Sequence, residues 1–306
     1  MTTVRGRLAT QIVRAVGIKR RLRRLAEVDD DPAAFMQRLQ RLRRTDRRRP
    51  PWTVRLGWRI EHVDVAGFDL FVMSQKGSPS PGRRALLYLH GGGYMFGPFG
   101  TEWAAMRKVA GRSLSDFAVL LYPRAPEHEA AEALRVVRAA YGTLADRYGV
   151  GSVVPIGTSA GGGLAVALMA SLRDEGGGPP PCAVLLSPGV DMTLEHPVEH
   201  LEEFDVLLST EHVRSAGRMY AGALEPDHPT VSPLFGDLAD LPTMNVFAGG
   251  AELLRPSIEA FARKATEAGT EVRLILGKDQ QHTWPAAPTP EGRQALGQVI
   301  DIVTSC

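Results

Sequence analysis

Residues 156–163, I-G-T-S-A-G-G-G, place Ser159 in a stretch of small residues between two regular runs. The apolar run V-V-P-I precedes the serine and the helix-forming run A-G-G-G-L-A-V-A-L-M-A follows it. A G-x-S-x-G sequence between a strand and a helix is typical of a nucleophile elbow, which presents the serine hydroxyl at the end of a sheet. The pattern predicts a nucleophilic Ser159; the alternative is a serine that only serves a tight turn.

Serine is a weak nucleophile at neutral pH, so it needs a base and an acid that orients the base. His282 lies in the loop Q-Q-H-T-W-P after the last predicted strand and is the candidate base; otherwise its ring nitrogens stabilise that loop. Glu252 follows the strand M-N-V-F-A and is the candidate acid. Its rivals are Asp279, which we expect to turn within the His282 loop, and Asp191, which we expect at the hinge of an inserted segment.

The sequence H-G-G-G-Y at residues 90–94 follows another predicted strand, A-L-L-Y-L. Backbone N–H groups of Gly91, Gly92 and Ala160 can point at the oxygen of a tetrahedral intermediate, because glycine lets the backbone approach a substrate closely. The alternative is a flexible loop between a strand and a helix. With serine, acid and histidine in the chain order of an α/β-hydrolase, we favour an oxyanion hole.

No pattern of metal ligands or of a cofactor site is present, so we predict neither. His196 and His200 are four residues apart, but Pro197 argues against a helix that would pair them on a metal. Cys182 lies in the apolar run C-A-V-L-L-S and is expected to be a buried apolar residue, and Cys306 to be a frayed end, with no disulfide. The nearest candidate for the apolar part of a signal peptide, I-V-R-A-V-G-I at 12–18, is short and broken by Arg14, and no stretch is long enough to span a membrane, so we expect a reducing, cytoplasmic location.

Basic residues are concentrated in the first 50 residues, which hold 15 Lys and Arg against five Asp and Glu, whereas the remainder has an acidic excess. Such an arm can meet anionic lipid, nucleic acid or an acidic partner. Its apolar residues nevertheless recur at helical spacing, at Leu8, Ile12, Ala15, Leu22 and Leu25 and again at Phe35, Leu39 and Leu42. We therefore predict two short helices packed on the molecule and no nucleic-acid partner, with peripheral membrane contact as the alternative. No apolar stretch reaches the length of a membrane span.

Strands and helices alternate along the rest of the chain. Residues 60–74 alternate apolar and polar around Ala66-Gly67, which predicts a β-hairpin. Nearly continuous Val, Leu and Ile runs indicate strands buried on both faces, hence a mostly parallel sheet covered by helices. Further strands are predicted at 85–89, 118–122, 153–156, 183–187, 244–248 and 272–276, and helices at 101–112, 129–147, 160–173, 211–222, 256–268 and 290–304.

One connection is too long for a single crossover. Residues 191–242 separate two predicted strands and contain a helical stretch. We expect this insertion and the first 50 residues to form a cap over the strand ends. The predicted organisation is therefore N-terminal cap helices at 1–50, a catalytic domain at 51–190 and 243–306, and a cap insertion at 191–242.

Several motifs together resemble those of the hormone-sensitive-lipase-like bacterial carboxylesterases, in their G-T-S-A-G branch. They are H-G-G-G-Y, Y-P-R-A-P-E-H at 122–128, G-T-S-A-G-G, L-S-P-G-V-D at 186–191, V-S-P-L-F at 231–235 and the late Glu and His pair. Two positions depart from the family pattern. Glu252 stands where Asp is usual, and the arginine of the usual Y-R-L-A-P-E-H has moved one place, to Arg124, so the ion pair that this arginine makes in the family is not predicted here.

The resemblance implies an α/β-hydrolase fold with a helical cap and hydrolysis of short- to medium-chain acyl esters. It implies that Ser159, His282 and Glu252 are nucleophile, base and acid, and that His90 orders the oxyanion loop by hydrogen bonding. The substrate is a small ester, and the candidates for contacting it are Tyr94, Phe35, Leu207, Leu208, Met219 and Tyr220. An amidase, a lactonase, a small-molecule deacetylase and a non-catalytic ligand-binding protein remain alternatives. The sequence leaves a homodimer open.

Overall fold

The computed structural model describes residues 3–28, 30–77 and 84–306, without the side chain of Glu199. Eight strands form one sheet in the order β1-β2-β4-β3-β5-β6-β7-β8. β3 to β8 run parallel, and the β1–β2 hairpin extends the sheet because β2 pairs antiparallel with β4. The strands are β1 Trp58–Val65, β2 Phe68–Gln75, β3 Ala85–Leu89, β4 Asp116–Leu120, β5 Val153–Thr158, β6 Ala183–Leu186, β7 Met244–Gly249 and β8 Val272–Gly277.

The predicted α/β-hydrolase fold, with its hairpin and mostly parallel sheet, is therefore confirmed. Every predicted strand is present within two residues of its expected bounds. Burial on both faces holds for β3 to β7 but is wrong for β8, which is an edge strand with Leu274 and Leu276 exposed by 38% and 47%. An edge strand lacks a neighbour on one side, so apolar composition alone does not bury it.

Helices cover both faces of the sheet. Leu164 and Phe261 belong to a core on one face, to which α6, α7 and α10 contribute, and Trp103 and Val299 to a core on the other, to which α5 and α11 contribute. The helices are α1 Val4–Val16, α2 Ile18–Ala26, α3 Pro32–Leu42, α4 Trp52–Arg55, α5 Gly100–Arg112, α6 Ala130–Tyr148, α7 Ala160–Asp174, α8 Glu199–Glu202, α9 Thr210–Ala221, α10 Arg255–Glu267 and α11 Pro290–Ser305. Within the described ranges, none is long and apolar enough to cross a membrane.

The basic arm forms three main helices instead of the two that the spacing predicts, because Gly17 adopts a left-handed conformation between α1 and α2. The apolar residues of α2 and α3 are buried as expected: Leu25, Phe35 and Leu39 are at most 2% exposed. The apolar stripe of α1 is not packed on the molecule. Leu8 and Ile12 are exposed by 60% and 56%, so the prediction of a buried stripe is wrong for this helix.

The two cysteines are joined by a disulfide, contrary to the sequence prediction. Cys182 is buried at the start of β6, as expected, while Cys306 follows α11 and packs against the same core instead of fraying. Spacing gives no sign of this pair, since 124 residues separate the two positions and only the packing of α11 on the sheet brings them together.

The segment between β6 and β7 contains α8 and α9 and lies against the N-terminal arm. Lys19 of α2 donates hydrogen bonds to the main-chain carbonyl oxygens of Glu202 and Asp205, the latter at 3.0 Å. Helix α2 also packs against α9. The arm and the insertion are thus connected, as a cap made of both would require.

Candidate active site

Ser159 lies in a tight turn between β5 and α7. Its backbone has φ 53° and ψ −120°, a conformation that L-residues rarely adopt and that is typical of a strained functional turn. Its neighbours must be small, because a Cβ on Gly157 would lie 2.3 Å from the carbonyl oxygen of Gly161, and one on Gly161 would lie 2.0 Å from that of Leu89. The glycines of the motif are therefore required by the close approach of β3, β5 and α7.

The structure brings the three predicted side chains together. His282 Nε2 lies 2.9 Å from Ser159 Oγ, and His282 Nδ1 lies 3.1 Å from Glu252 Oε2. Both distances are those of hydrogen bonds. Because the carboxylate only accepts, Nδ1 carries the ring proton and Nε2 is free to accept the proton of the serine hydroxyl.

Glu252 is fully buried, and burial raises the pKa of its carboxyl, while the hydrogen bond and charge of His282 oppose that rise. The loop that carries Glu252 is held by Asp205 of the insertion. Asp205 Oδ2 accepts a hydrogen bond of 2.8 Å from the backbone N–H of Leu253. The sequence analysis missed Asp205, since nothing in the pattern distinguishes it from other acidic residues of the insertion.

The two rival acids lie elsewhere. Asp191 caps the turn that opens the insertion, accepting hydrogen bonds from the backbone N–H groups of Thr193 and Leu194 and from Ser257 Oγ. Asp279 is exposed in the turn after β8. As for the histidine pair, His196 Nδ1 lies 3.7 Å from Asp191, and in the described part of the chain no three His, Cys, Asp or Glu side chains form a metal-binding group.

The oxyanion loop follows β3, and one predicted donor is wrong. The N–H of Gly91 donates to Glu102 Oε1 at 2.8 Å, so it is not free for a substrate oxygen. The N–H groups of Gly92, Gly93 and Ala160 make no hydrogen bond to any residue within the described ranges. Gly92 has φ 110°, and a Cβ there would lie 2.9 Å from Phe96, so this turn requires glycine.

Glu102 holds the oxyanion loop in place from inside the protein. Besides Gly91, it accepts hydrogen bonds from the hydroxyl of Tyr88 at 2.8 Å and from the backbone N–H of Phe99 at 2.7 Å. The hydroxyl of Tyr88 also lies 2.9 Å from Oγ1 of Thr158, the residue before Ser159. Burial raises the pKa of Glu102, and the three donors oppose this. The sequence analysis missed Glu102. The one sequence feature that could have identified it is its position in the first turn of a helix with a buried face.

His90 orders the loop as the resemblance implies, since its Nδ1 lies 2.8 Å from the carbonyl oxygen of Gly91. Its ring stacks on Tyr122 at a centroid distance of 4.1 Å. The displaced Arg124 has an ion pair after all, with Asp46 Oδ2 at 2.6 Å. Asp46 in turn accepts the N–H of Gly97 at 2.8 Å, so the arginine is connected to the end of the loop through the N-terminal arm.

Of the predicted substrate-contacting residues, Tyr94 and Tyr220 stack face to face with ring centroids 3.6 Å apart. Leu207, Leu208 and Met219 are half-buried in the insertion and Phe35 is sealed in the core. Four buried polar atoms, one on Tyr94 and three on α9, have no hydrogen-bond partner among the described residues: Tyr94 Oη, Tyr220 Oη, His212 Nδ1 and Ser215 Oγ. His212 also faces the loop, because a Cβ on Gly93 would lie 3.5 Å from its Nε2. Sequence reasoning missed His212 and Ser215.

Residues 86–286 match the family described as the alpha/beta hydrolase fold. An acetyl-hydrolase of Streptomyces hygroscopicus is 34% identical over 219 residues, covering 70% of this chain and 73% of that protein. An esterase of Acinetobacter venetianus is 31% identical over 225 residues, covering 72% of this chain and 74% of its own length. An esterase structure from the bacterial hormone-sensitive lipase family is 28% identical, with a TM-score of 0.80, and covers 100% of this chain and 99% of that chain.

The family match runs from β3 to the loop of His282 and therefore includes Ser159, Glu252, His282 and the oxyanion loop. The similarity to the two curated relatives extends over more than two thirds of each of them. Fold, site geometry and relatives agree: the chain is a serine carboxylesterase and belongs to the hormone-sensitive-lipase-like bacterial esterases of the α/β-hydrolase superfamily.

Proposed function

We propose that the chain hydrolyses acyl esters of short to medium length through an acyl-enzyme on Ser159. The observation that carries the proposal is the position of His282, which reaches Ser159 Oγ at 2.9 Å with one ring nitrogen and Glu252 at 3.1 Å with the other. This is the arrangement in which a histidine withdraws the serine proton and a carboxylate stabilises the resulting imidazolium.

In the first step Ser159 Oγ attacks the ester carbonyl carbon while His282 Nε2 takes its proton. The carbonyl oxygen becomes an oxyanion, which accepts hydrogen bonds from the free N–H groups of Gly92, Gly93 and Ala160. The tetrahedral intermediate then expels the alcohol, whose oxygen receives the proton from His282. Water, deprotonated by the same nitrogen, attacks the acyl-enzyme and releases the acid.

The test is hydrolysis of p-nitrophenyl esters from acetate to octanoate by the wild type and by Ser159→Ala. We expect kcat to fall by about 10⁵–10⁶, as it does when the nucleophile of a serine hydrolase is removed. Undiminished activity in the variant would exclude the mechanism. A fluorophosphonate probe should label Ser159 covalently; a folded protein that is neither labelled nor active would be the non-catalytic binding protein.

The same chemistry cleaves amides, lactones and acetylated small molecules, so the shape and polarity of the pocket decide which kind of bond is hydrolysed. The name of the acetyl-hydrolase relative supports a preference for small acyl groups. The stacked pair of Tyr94 and Tyr220 also supports it, since two buried aromatic rings leave little room beside the oxyanion loop. Tyr220→Ala should therefore raise kcat/KM for octanoate relative to acetate; an unchanged ratio would remove Tyr220 from the acyl pocket.

The cap is proposed to consist of residues 1–50 and 191–242, with Leu207, Leu208 and Met219 facing the substrate and Phe35 supporting them from the core. Lys19 supports this arrangement because it links the two parts. A shift of chain-length preference in Leu208→Ala without loss of stability would agree with contact. An unchanged preference would place the pocket elsewhere.

Peripheral contact with anionic membranes is a second proposal, supported by α1. Val4, Leu8, Ile12 and Val16 form an exposed apolar stripe, each at least 49% exposed, and residues 1–26 contain eight Lys and Arg but no acidic residue. Exposed apolar stripes beside basic residues are typical of helices that lie in a membrane interface. Leu8→Glu should abolish sedimentation with phosphatidylserine vesicles, and Leu114→Glu, at an exposed site outside the arm, should not; equal binding by both would refute the proposal.

A cytoplasmic location and a homodimer stay predictions. The disulfide argues against the cytoplasm, since such bonds persist in oxidising compartments and are rare in the cytosol. Because Cys182 is buried, cells are first quenched with acid and the protein is unfolded before free thiols are alkylated. Modification of Cys182 and Cys306 then agrees with the cytoplasm, and protection contradicts it. Sedimentation equilibrium tests the dimer.

A further inference from the structure

A cavity of about 250 Å³ lies behind the oxyanion loop, apart from the catalytic triad. Its floor is buried and includes His90, Gly97 and Tyr122, and its rim includes the exposed side chains of Arg48 and Glu127. Ser159, Glu252 and His282 do not line it. One ordered water needs only about 10–15 Å³, so the cavity has room for a small organic molecule.

Positive charge exceeds negative charge around this cavity. Arg43, Arg48 and Arg124 line it, and two carboxylates neutralise two of the three. Glu127 binds Arg43 through both oxygens, and Asp46 binds Arg124. Arg43 also donates to the carbonyl oxygens of Met95 and Ala125, so four of its five N–H groups are used and Glu127 neutralises its charge.

Arg48 is the unneutralised cation. It makes no hydrogen bond or ion pair with any residue in the described part of the chain. Burial and, after it, the positive charge of Arg43 lower the pKa of Arg124, with a smaller contribution from Arg48, and all three side chains line the same cavity. A single negative charge between Arg48 and Arg124 would balance the site.

His90 restricts the chemical groups that a ligand of this cavity can carry. Its side chain is fully buried and its Nε2 has no hydrogen-bond partner among the described residues. Because Nδ1 donates its proton to the carbonyl oxygen of Gly91, Nε2 can only accept. Leaving a buried acceptor unpaired costs about 1–3 kcal/mol, so this position favours a ligand that offers a hydrogen-bond donor to Nε2.

We propose that this cavity is a second small-molecule site, which binds a hydroxy carboxylate. The carboxylate pairs with Arg48 and Arg124, the hydroxyl donates to His90 Nε2, and the rings of Phe68 and Tyr122 contact the carbon chain. A simple carboxylate lacks the donor that His90 requires. A phosphate dianion brings two charges where the balance of three arginines and two carboxylates calls for one.

The proposal is tested by calorimetric titration of the full chain with lactate, and with propionate as the matched ligand that lacks the hydroxyl. We expect saturable binding of lactate, about fivefold tighter than that of propionate, as one hydrogen bond to a neutral acceptor provides. Arg48→Gln should weaken lactate binding at least tenfold. Arg55→Gln, at another exposed arginine, should leave it unchanged.

Two further measurements separate this site from others. Enzyme first labelled on Ser159 by a fluorophosphonate should still bind lactate; loss of binding would place the ligand in the catalytic cleft and overturn the proposal. Titration with inorganic phosphate should give weaker binding than lactate. Tighter phosphate binding, equal affinity for lactate and propionate, an unaffected Arg48→Gln, or no saturable binding of lactate would each overturn it.

Discussion

Replacing Glu102 by glutamine changes one atom of a buried carboxylate that holds the oxyanion loop. In the wild type Oε1 accepts from Gly91 and Tyr88, and Oε2 accepts from Phe99. Glutamine keeps one oxygen, which we expect to retain the two bonds of Oε1. Its amide nitrogen then faces the N–H of Phe99, and two donors repel each other.

The magnitude follows from the bond that is lost. A hydrogen bond to a charged acceptor contributes about 1.5–3 kcal/mol, and relief from burying the charge offsets part of the loss. We therefore expect Glu102→Gln to lower the free energy of unfolding by about 2 kcal/mol. With an unfolding entropy of about 2.1 cal/mol/K per residue, this corresponds to a Tm lower by about 3 °C in a chain of this size. Urea and thermal unfolding measure both quantities.

The kinetic consequence is a selective loss of kcat. Removing an oxyanion donor altogether costs about 10²–10³ in kcat. Glu102→Gln displaces the loop without removing a donor, so we expect about a tenfold lower kcat at a KM within twofold. Glu102→Ala, which removes both acceptor oxygens and all three hydrogen bonds, should approach the full loss. A lower kcat at a nearly unchanged KM is the result expected when an interaction that is made only in the transition state is lost.

The matched control is Glu267→Gln, at an exposed position at the end of α10. We expect its stability to change by less than about 0.5 kcal/mol and its kcat to be unaltered. If both Glu102 variants are destabilised yet retain wild-type kcat, then Glu102 supports the fold alone and the oxyanion loop does not depend on it.

Three further predictions concern other parts of the molecule. Burial lowers the pKa of His212 from its ordinary 6.5 to about 4, so its stabilising contribution is full above pH 6.5 and is lost as pH falls toward 4. The drop in unfolding free energy between pH 7 and 5 should be about 2 kcal/mol smaller in His212→Gln, and an equal drop would contradict this. Reducing the disulfide should lower stability by up to about 5 kcal/mol in urea unfolding, with Cys306→Ser insensitive to reductant; two free thiols in the unreduced enzyme would refute the bond. Asp205→Asn should lower kcat with little change in KM, because it loosens the Leu253 turn; a pure KM effect would point instead to the cap.

The proposed triad was predictable from the sequence because each member follows a strand of the parallel sheet, although β8, which precedes His282, is an exposed edge strand. The carboxyl ends of parallel strands meet at one edge, so chemistry-bearing residues that follow β5, β7 and β8 converge there. Gly91 shows the limit of such reasoning. H-G-G-G marks the loop but does not say which N–H is free, since this depends on Glu102, eleven positions further along the chain.

The other errors have the same origin in tertiary contacts. Nothing in the spacing of Cys182 and Cys306 foretells that α11 packs the second beside the first. Helix α1 has the apolar periodicity of a packed helix, but periodicity identifies a stripe and not its partner. The partner of Arg124 is Asp46 of the N-terminal arm, a residue that belongs to none of the family motifs.

Lys19 has a consequence for any attempt to shorten the protein. Its two bonds hold carbonyl oxygens on either side of the turn that ends in Asp205, and Asp205 holds the residue after Glu252. A catalytic fragment trimmed to start at β1 would keep Ser159, Glu252 and His282. It would lose the hydrogen bonds by which Lys19 holds the turn before Asp205. Acetylating that one amine should reproduce part of the defect of the trimmed fragment in the intact enzyme.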